Sequence, residues 1–121
     1  MGNFKFIDSP NYNYSATLFV ANIRTIIGKS YLLKILSEEL DFPDYFGHNW
    51  DALWDCITDL EWIDQKNIIL VHNSLPSLNN HDLKIYLKIL DDAIIYWNAT
   101  ENHTLEVVFP ARVKEELKDF R

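Results

Sequence analysis

Three aspartates stand four residues apart near the middle of the chain, at positions 51, 55 and 59. At about 100° per residue, a helix over residues 50 to 60 would place Asp51, Asp55 and Asp59 on one face. Carboxylates one turn apart repel each other, and residues 35 to 65 hold nine acidic residues and no lysine or arginine to offset them. Such a row either stays solvated, binds a hard cation or receives a basic partner.

The other face of this predicted helix, about residues 49 to 60, is apolar and aromatic. Asn49 can cap the helix, because its side chain can accept a hydrogen bond from a first-turn amide. Gly47 allows a sharp approach of the chain into the helix. Rigid tryptophans beside unpaired carboxylates favour a surface that binds a basic protein partner. The apolar positions are Trp50, Leu53, Trp54, Cys56, Ile57 and Leu60.

Other chemistry finds less support in the residue pattern. Cys56 lies on the apolar face and is expected to behave as a small buried hydrophobe rather than a nucleophile. A Mg²⁺-dependent enzyme could use the three aspartates with Asp91 and Asp92, and it stays the alternative class. It would lack a basic residue or a phosphate-binding loop near its substrate, since the chain has only three glycines. No cofactor or metal is therefore predicted. The histidines lack zinc-ligand spacing and are expected in loops or at helix ends: His48, His72, His81 and His103.

The composition limits the class of protein. A chain of 121 residues with 48% hydrophobic and 14% aromatic residues can bury the core of one domain. A net charge of −7 and a pI near 4.9 argue against a partner with a phosphate backbone, so no nucleic acid is expected. The single cysteine, the absence of a signal-peptide pattern and the lack of a membrane-spanning apolar run indicate a cytoplasmic protein.

Hydrophobic periodicity predicts an α/β protein. Helices between successive apolar strands imply a parallel sheet with right-handed crossovers. Phe4 and Phe6 alternate with polar neighbours, which allows a further short edge strand. The predicted elements are strand 17–23, a helix capped by Ser30 and running to 40, the aspartate helix, strand 67–71, helix 81–97, strand 104–109 and a last helix over 113–120.

The segment PDYFGHNWDALWDC, from Pro43 to Cys56, resembles the signature of the barstar-like family of intracellular ribonuclease inhibitors. A looser similarity covers about residues 18 to 109. The resemblance implies a three-stranded parallel sheet packed by helices, with short extensions at both ends of the chain. It also implies an inhibitor rather than an enzyme.

In that family the second helix and the loop before it plug a ribonuclease active site. An aspartate, matched here by Asp55, takes the place of an RNA phosphate. The implied partner is a basic ribonuclease or another toxin domain, bound by a monomeric immunity protein or antitoxin in a 1:1 complex. Asp92 stands where the family has a glutamate that makes a peripheral salt bridge. The expected partner-binding residues are Tyr45, Phe46, Gly47, His48, Asn49, Asp51, Ala52, Trp54, Asp55, Thr58, Asp59 and Asp92.

Overall fold

A computed structural model describes residues 2–8, 12–13, 15–44, 46–118 and 120 of the chain. Strands and helices alternate along it, apart from the first two strands and a pair of helices after the second strand. Among the described residues, no helix is both long and apolar enough to cross a membrane. The elements are β1 (Lys5–Phe6), β2 (Leu18–Ile23), α1 (Lys29–Glu39), α2 (Trp50–Ile57), β3 (Asn67–His72), α3 (Asn80–Asn98), β4 (Thr104–Phe109) and α4 (Ala111–Lys118).

The strands form a four-stranded parallel sheet in the order β1-β4-β3-β2. The α/β class with a parallel sheet is confirmed, but the predicted number of three strands is wrong. β1 adds the fourth strand at one edge, where Lys5 pairs with Val108 and Phe6 with Phe109. Two residues carry almost no periodicity of their own, so this strand depends on pairing with β4 at the far end of the chain. The alternation of Phe4 and Phe6 was its only local signal.

Apolar side chains cover both faces of the sheet, as the nearly continuous apolar runs of its longer strands require. On one face, residues such as Ile23, Leu70 and Phe109 share a core with the buried sides of α1, α2 and α3. The opposite face holds a smaller cluster, against which Tyr12 and Leu18 pack. Burial on both sides fixes the register of the strands, because a one-residue slip would turn every side chain to the wrong face. The smaller cluster consists of Val20, Ile69, Val71 and Val108.

The first helix begins one residue before the predicted cap. Its N-cap is Gly28, which has φ 93° and makes no side-chain cap, so the prediction of Ser30 as the cap is wrong. The Leu32 amide donates to the Gly28 carbonyl at 3.1 Å, which places Ser30 inside the first turn. Glycine adopts this left-handed conformation without steric cost, and the chain therefore turns into the helix there.

β1 and α4, from opposite ends of the described chain, meet at the β1 edge of the sheet, and we call residues 2–8 and 111–118 the terminal clasp. Phe4 is 6% exposed, and its ring lies edge-on to the ring of Phe109, the last residue of β4, with 5.5 Å between the centroids. The Asp8 carboxylate accepts a hydrogen bond from the Ala111 amide at the start of α4, at 3.0 Å. The clasp thereby ties β1 and α4 to each other and to β4.

A buried histidine ends β3. His72 is 1% exposed, with Nε2 2.7 Å from the Tyr86 hydroxyl oxygen and Nδ1 3.2 Å from the Val108 carbonyl oxygen. The prediction that every histidine lies in a loop or at a helix end is wrong for this residue. Burial lowers the pKa of His72 to about 3, which the hydrogen bond to Val108 only partly offsets. The ring is therefore neutral near pH 7 and packs as part of the buried core.

Candidate partner-binding surface

The aspartate helix forms as α2, and Asn49 is its N-cap as predicted. The Asn49 side-chain oxygen accepts a hydrogen bond from the Ala52 amide at 2.7 Å. The sharp turn before the helix is made by His48, with φ 53°, rather than by Gly47. Histidine enters this left-handed region more readily than bulky or β-branched residues. The exposed His48 ring lies 4.8 Å from the ring of Phe46, which supports the turn.

α2 ends after eight residues, earlier than predicted. Leu60 adopts φ 49°, which turns the chain off the helix axis, and its side chain is fully buried. Asp59 therefore lies half-buried past the end of α2, and its predicted place on the helix is wrong. The row of carboxylates on α2 consists of Asp51 and Asp55, which we call the α2 ridge.

The α2 ridge carries exposed negative charge that no cation in the described part of the chain neutralises. Both of its carboxylates lie on the exposed side of α2, and the opposite side is buried in the core. The helix dipole favours Asp51, which stands in the first turn, but helps Asp55 less. The ion pairs formed among the described residues lie elsewhere: Lys5–Glu106, Lys88–Asp92 and Lys118–Glu115.

The α2 ridge stands between two grooves, and its two carboxylates line both of them. A partner that enters either groove therefore meets both negative charges. The first groove, about 320 Å³, lies on the side of the preceding loop, and its other lining residues are Phe46, Gly47, Asn49, Ala52 and Cys56. The α2–α3 groove, about 420 Å³, is otherwise lined by Trp50, Trp54, Ile85, Lys88, Ile89 and Asp92.

Two tryptophans hold α2 against α3 and frame the α2–α3 groove. The Trp50 Nε1 donates a hydrogen bond to the Asp82 carboxylate at 3.3 Å, and its ring centroid lies 6.1 Å from that of Tyr86. The Trp54 ring lies edge-on to Tyr96, with 6.3 Å between the centroids. Both tryptophans are half-buried, so contacts within the chain fix them while part of each ring stays open. Rings fixed in this way lose little side-chain entropy on binding.

Most of the predicted partner-binding residues line one of these two grooves. Thr58 and Asp59 line a third pocket, about 530 Å³, past the end of α2. His48 is exposed beside the first groove, and Tyr45 lies outside the described residues. Phe46 is 6% exposed, so its ring belongs to the core and offers a partner little surface.

Asp92 lines the α2–α3 groove, but it already has a partner within the chain. The Lys88 Nζ lies 3.1 Å from the Asp92 Oδ2, one helical turn away on α3. The sequence prediction omitted Lys88, and it also omitted Tyr96, which is 43% exposed beside the second tryptophan of α2. Helical spacing alone groups Lys88, Asp92 and Tyr96 on one side of α3, but only the packing of α2 beside α3 places that side at the groove.

The thiol beside the α2 ridge is not activated as a nucleophile. Burial raises the pKa of the Cys56 thiol, and the carboxylates of Asp59 and Asp55 raise it further. The thiol therefore stays protonated at neutral pH and is a weak nucleophile. Within the ranges that the structure describes, no three histidine, cysteine, aspartate or glutamate side chains gather as a metal ion would need.

Two comparisons with known proteins bear on this surface. A family model described as Barstar (barnase inhibitor) matches residues 16–110. A protein of Bacillus subtilis (strain 168), named "Putative ribonuclease inhibitor YrdF", is 38% identical over 84 residues, which cover 69% of this chain and 70% of that protein. The range matched by the family model contains α2, α3 and both grooves, and it leaves out β1 and α4. The chain therefore belongs to the barstar family.

Proposed function

We propose that this chain inhibits a barnase-type ribonuclease by placing the α2 ridge in the active site of that enzyme. A ribonuclease site binds the phosphates of RNA and is therefore rich in positively charged groups. The observation that carries the proposal is the exposed pair Asp51 and Asp55, whose charge is not neutralised by the described residues and which lies within the range matched by the barnase-inhibitor family. Carboxylates held in this way can take the place of RNA phosphates, with Asp55 as the central group.

The grooves on either side of the ridge support a protein partner. A cationic loop of the enzyme would fit against the α2 wall of the α2–α3 groove, which combines the two carboxylates with the partly open rings of Trp50 and Trp54. Aromatic anchors beside desolvated charge pairs are typical of the centre of a protein interface. We propose a 1:1 complex formed by a single-domain immunity protein or antitoxin. It would act in the cytoplasm of the cell that makes the ribonuclease.

Charge would also speed the encounter with such an enzyme. The chain has a net charge of −7, and residues 35 to 65 carry nine acidic residues without a lysine or arginine. Complementary potentials raise association rates, and salt screens this effect over about 8–10 Å. Binding should therefore weaken as the salt concentration rises.

The test is inhibition of a purified barnase-type ribonuclease by the purified chain, at low and at high salt. We expect stoichiometric inhibition that weakens with salt and is lost in Asp55→Asn, which keeps the shape of the side chain and removes its charge. Glu116→Gln is the matched control, because it removes an exposed carboxylate from α4, outside the grooves. Absence of inhibition by the wild-type chain would overturn the ribonuclease target. Full inhibition by Asp55→Asn would overturn the role of the ridge.

A further inference from the structure

The α2–α3 groove has acidic residues on both walls and one basic residue among those that line it. Asp51 and Asp55 form the α2 wall, and Lys88 and Asp92 stand on the α3 wall. Lys88 is 76% exposed in its side chain, so its ammonium lies at the rim rather than in the floor. A partner that enters the groove therefore meets the two carboxylates of the α2 ridge on one wall and Lys88, paired with Asp92, on the other.

The lysine is directed to this rim by its neighbour on the helix. Its Nζ lies 3.1 Å from the Asp92 carboxylate, and the two residues are four apart on α3, where side chains meet. The preceding lysine of α3 points elsewhere, because the Lys84 Nζ lies 5.9 Å from the centre of the Phe120 ring. Lys88 is therefore the cation that an incoming partner encounters at the α3 wall.

We infer that Lys88 is a specificity-determining residue of the partner-binding surface, in addition to the α2 ridge and resting on the proposed function. It occupies Asp92 and presents its own positive charge, so it disfavours a partner that places an arginine or lysine against the α3 wall. Charge recognition is thereby concentrated on Asp51 and Asp55. While Lys88 holds Asp92, that carboxylate contributes less to a salt bridge with a basic partner residue.

The physical reason is the cost of placing like charges together at an interface. A partner cation near Asp92 would also lie near Lys88, and like-charge contacts suppress binding of the wrong partner. Removing the ammonium ends this repulsion and frees the Asp92 carboxylate for the partner. Because the pair is exposed, the change should be moderate, roughly three- to tenfold in the dissociation constant.

The experiment measures the dissociation constants of Lys88→Gln and Lys84→Gln with a barnase-type ribonuclease, whose site is basic. Both variants lower the net charge equally, so Lys84→Gln reports the general effect of added negative charge. We expect Lys88→Gln to bind about three- to tenfold more tightly than Lys84→Gln. We also expect Asp92→Asn to reduce this gain in the Lys88→Gln background and to change wild-type affinity less than about twofold. Equal thermal midpoints for the variants would show that folding is not the cause.

The possible results separate this inference from the proposed function. If the wild-type chain inhibits and Lys88→Gln binds no more tightly than Lys84→Gln, the role of Lys88 is overturned and the function stands. If Lys88→Gln gains affinity that Asp92→Asn does not reduce, the pairing argument is wrong. If only Lys88→Gln inhibits, the inference holds and that enzyme is not the natural target. If no variant inhibits, both proposals are overturned.

Discussion

The terminal clasp and the α2 ridge both place charged side chains at the surface of the molecule, but they use them differently. In the clasp, the Lys5 Nζ lies 2.6 Å from the Glu106 Oε1. The side-chain amide of Asn3 donates a hydrogen bond to the Asp91 carboxylate at 2.8 Å. The Asp8 carboxylate accepts a hydrogen bond from the backbone amide of Ala111, the first residue of α4. Each of these groups has a partner within the chain, so the charges of the clasp are satisfied by the fold itself.

The α2 ridge shows the opposite arrangement. Its carboxylates stand on an exposed helix face, and every ion pair that the described residues form lies outside the ridge. Neighbouring negative charges on a short helix destabilise it slightly, and they make no stabilising ion pair within the described part of the chain. The comparison assigns stability to the clasp and the proposed binding to the ridge, two different parts of this protein. Substitutions should therefore separate the two properties.

The largest expected effect on stability comes from the clasp. Phe4→Ala removes an aromatic ring that is 6% exposed and should lower the free energy of unfolding by about 3–5 kcal/mol. Chemical denaturation measures this change. Ile7→Ala, at a side chain that is 36% exposed, is the control and should cost much less. If Phe4→Ala does not fold, Phe4→Leu keeps most of the burial and should bind the ribonuclease as the wild type does. A stable Phe4→Ala protein would contradict the role of the clasp.

The largest expected effect on binding comes from the ridge. Asp55→Ala should cost on the order of 2–5 kcal/mol of binding free energy, the range for removing one partner of a buried charge pair; coupling energies measured for barnase–barstar span about 1.5–7 kcal/mol. The free energy of unfolding should stay the same or rise by a few tenths of a kcal/mol, because a like-charge neighbour is removed. Titration calorimetry and chemical denaturation on the same variant give both values. A loss of stability that matched the loss of binding would break the separation.

Acid should destabilise the sheet beside the clasp through His72, the last residue of β3. Burial holds the pKa of His72 at about 3, against 6.5 for the unfolded chain. Below about pH 6.5 the unfolded state binds a proton at His72, whereas the folded state does not bind it until about pH 3. The free energy of unfolding therefore decreases as the pH is lowered through this window. The contribution at pH 5 is a loss of about 2 kcal/mol. When the free energy of unfolding is measured by urea denaturation, it should fall less between pH 7 and pH 5 for His72→Gln than for the wild type.

A helix cap gives a matched pair of variants. Asn49→Ala removes the bond to the Ala52 amide and should cost about 1 kcal/mol of stability, together with part of the binding affinity, since the ridge begins at that turn. Asn79→Ala removes the equivalent cap of α3, a bond of 2.8 Å to the Asp82 amide, and should cost a similar amount of stability. The affinity of its folded fraction should be closer to that of the wild type. Equal losses of affinity would show that the cap of α2 has no special link to binding.

The smallest effect is expected at the surface of the clasp. Lys5→Met breaks the ion pair with Glu106, in which both side chains are more than a third exposed, and should cost less than about 1 kcal/mol of stability. Lys118→Met, which breaks an ion pair within α4, is the control and should cost no more. Thermal unfolding at two salt concentrations is the measurement. A loss above 2 kcal/mol at Lys5 would assign the clasp an electrostatic rather than an apolar basis.

The elements with strong local signals were predicted well from the sequence. The strand at 104–109 was predicted with its observed bounds, because an apolar run there ends at Pro110. Asn49 was found as a cap because its role depends on the three residues that follow it. The two aspartates of the ridge were placed on the exposed side of α2 by helical periodicity alone.

The features that were missed depend on residues distant in the sequence or on single backbone angles. β1 exists only through its pairing with β4. Asp59 lies past the helix because α2 is already capped at Thr58, with φ −102° and ψ 4°, a change of backbone angles that no periodicity reveals. The place of Lys88 at the rim of a groove follows from how α2 packs beside α3. Each of these needs three-dimensional neighbours that a pattern along the chain does not contain.

The shortness of α2 has a consequence for the lifetime of inhibition in a cell. Isolated helices of fewer than about 12–15 residues are marginal in water, and α2 has eight. It keeps its shape because Leu53, Cys56 and Ile57 are buried in the common core. An excised peptide would not hold the two carboxylates in line. If the chain inhibits a ribonuclease as proposed, proteolysis that unfolds this core would therefore end inhibition without cutting α2.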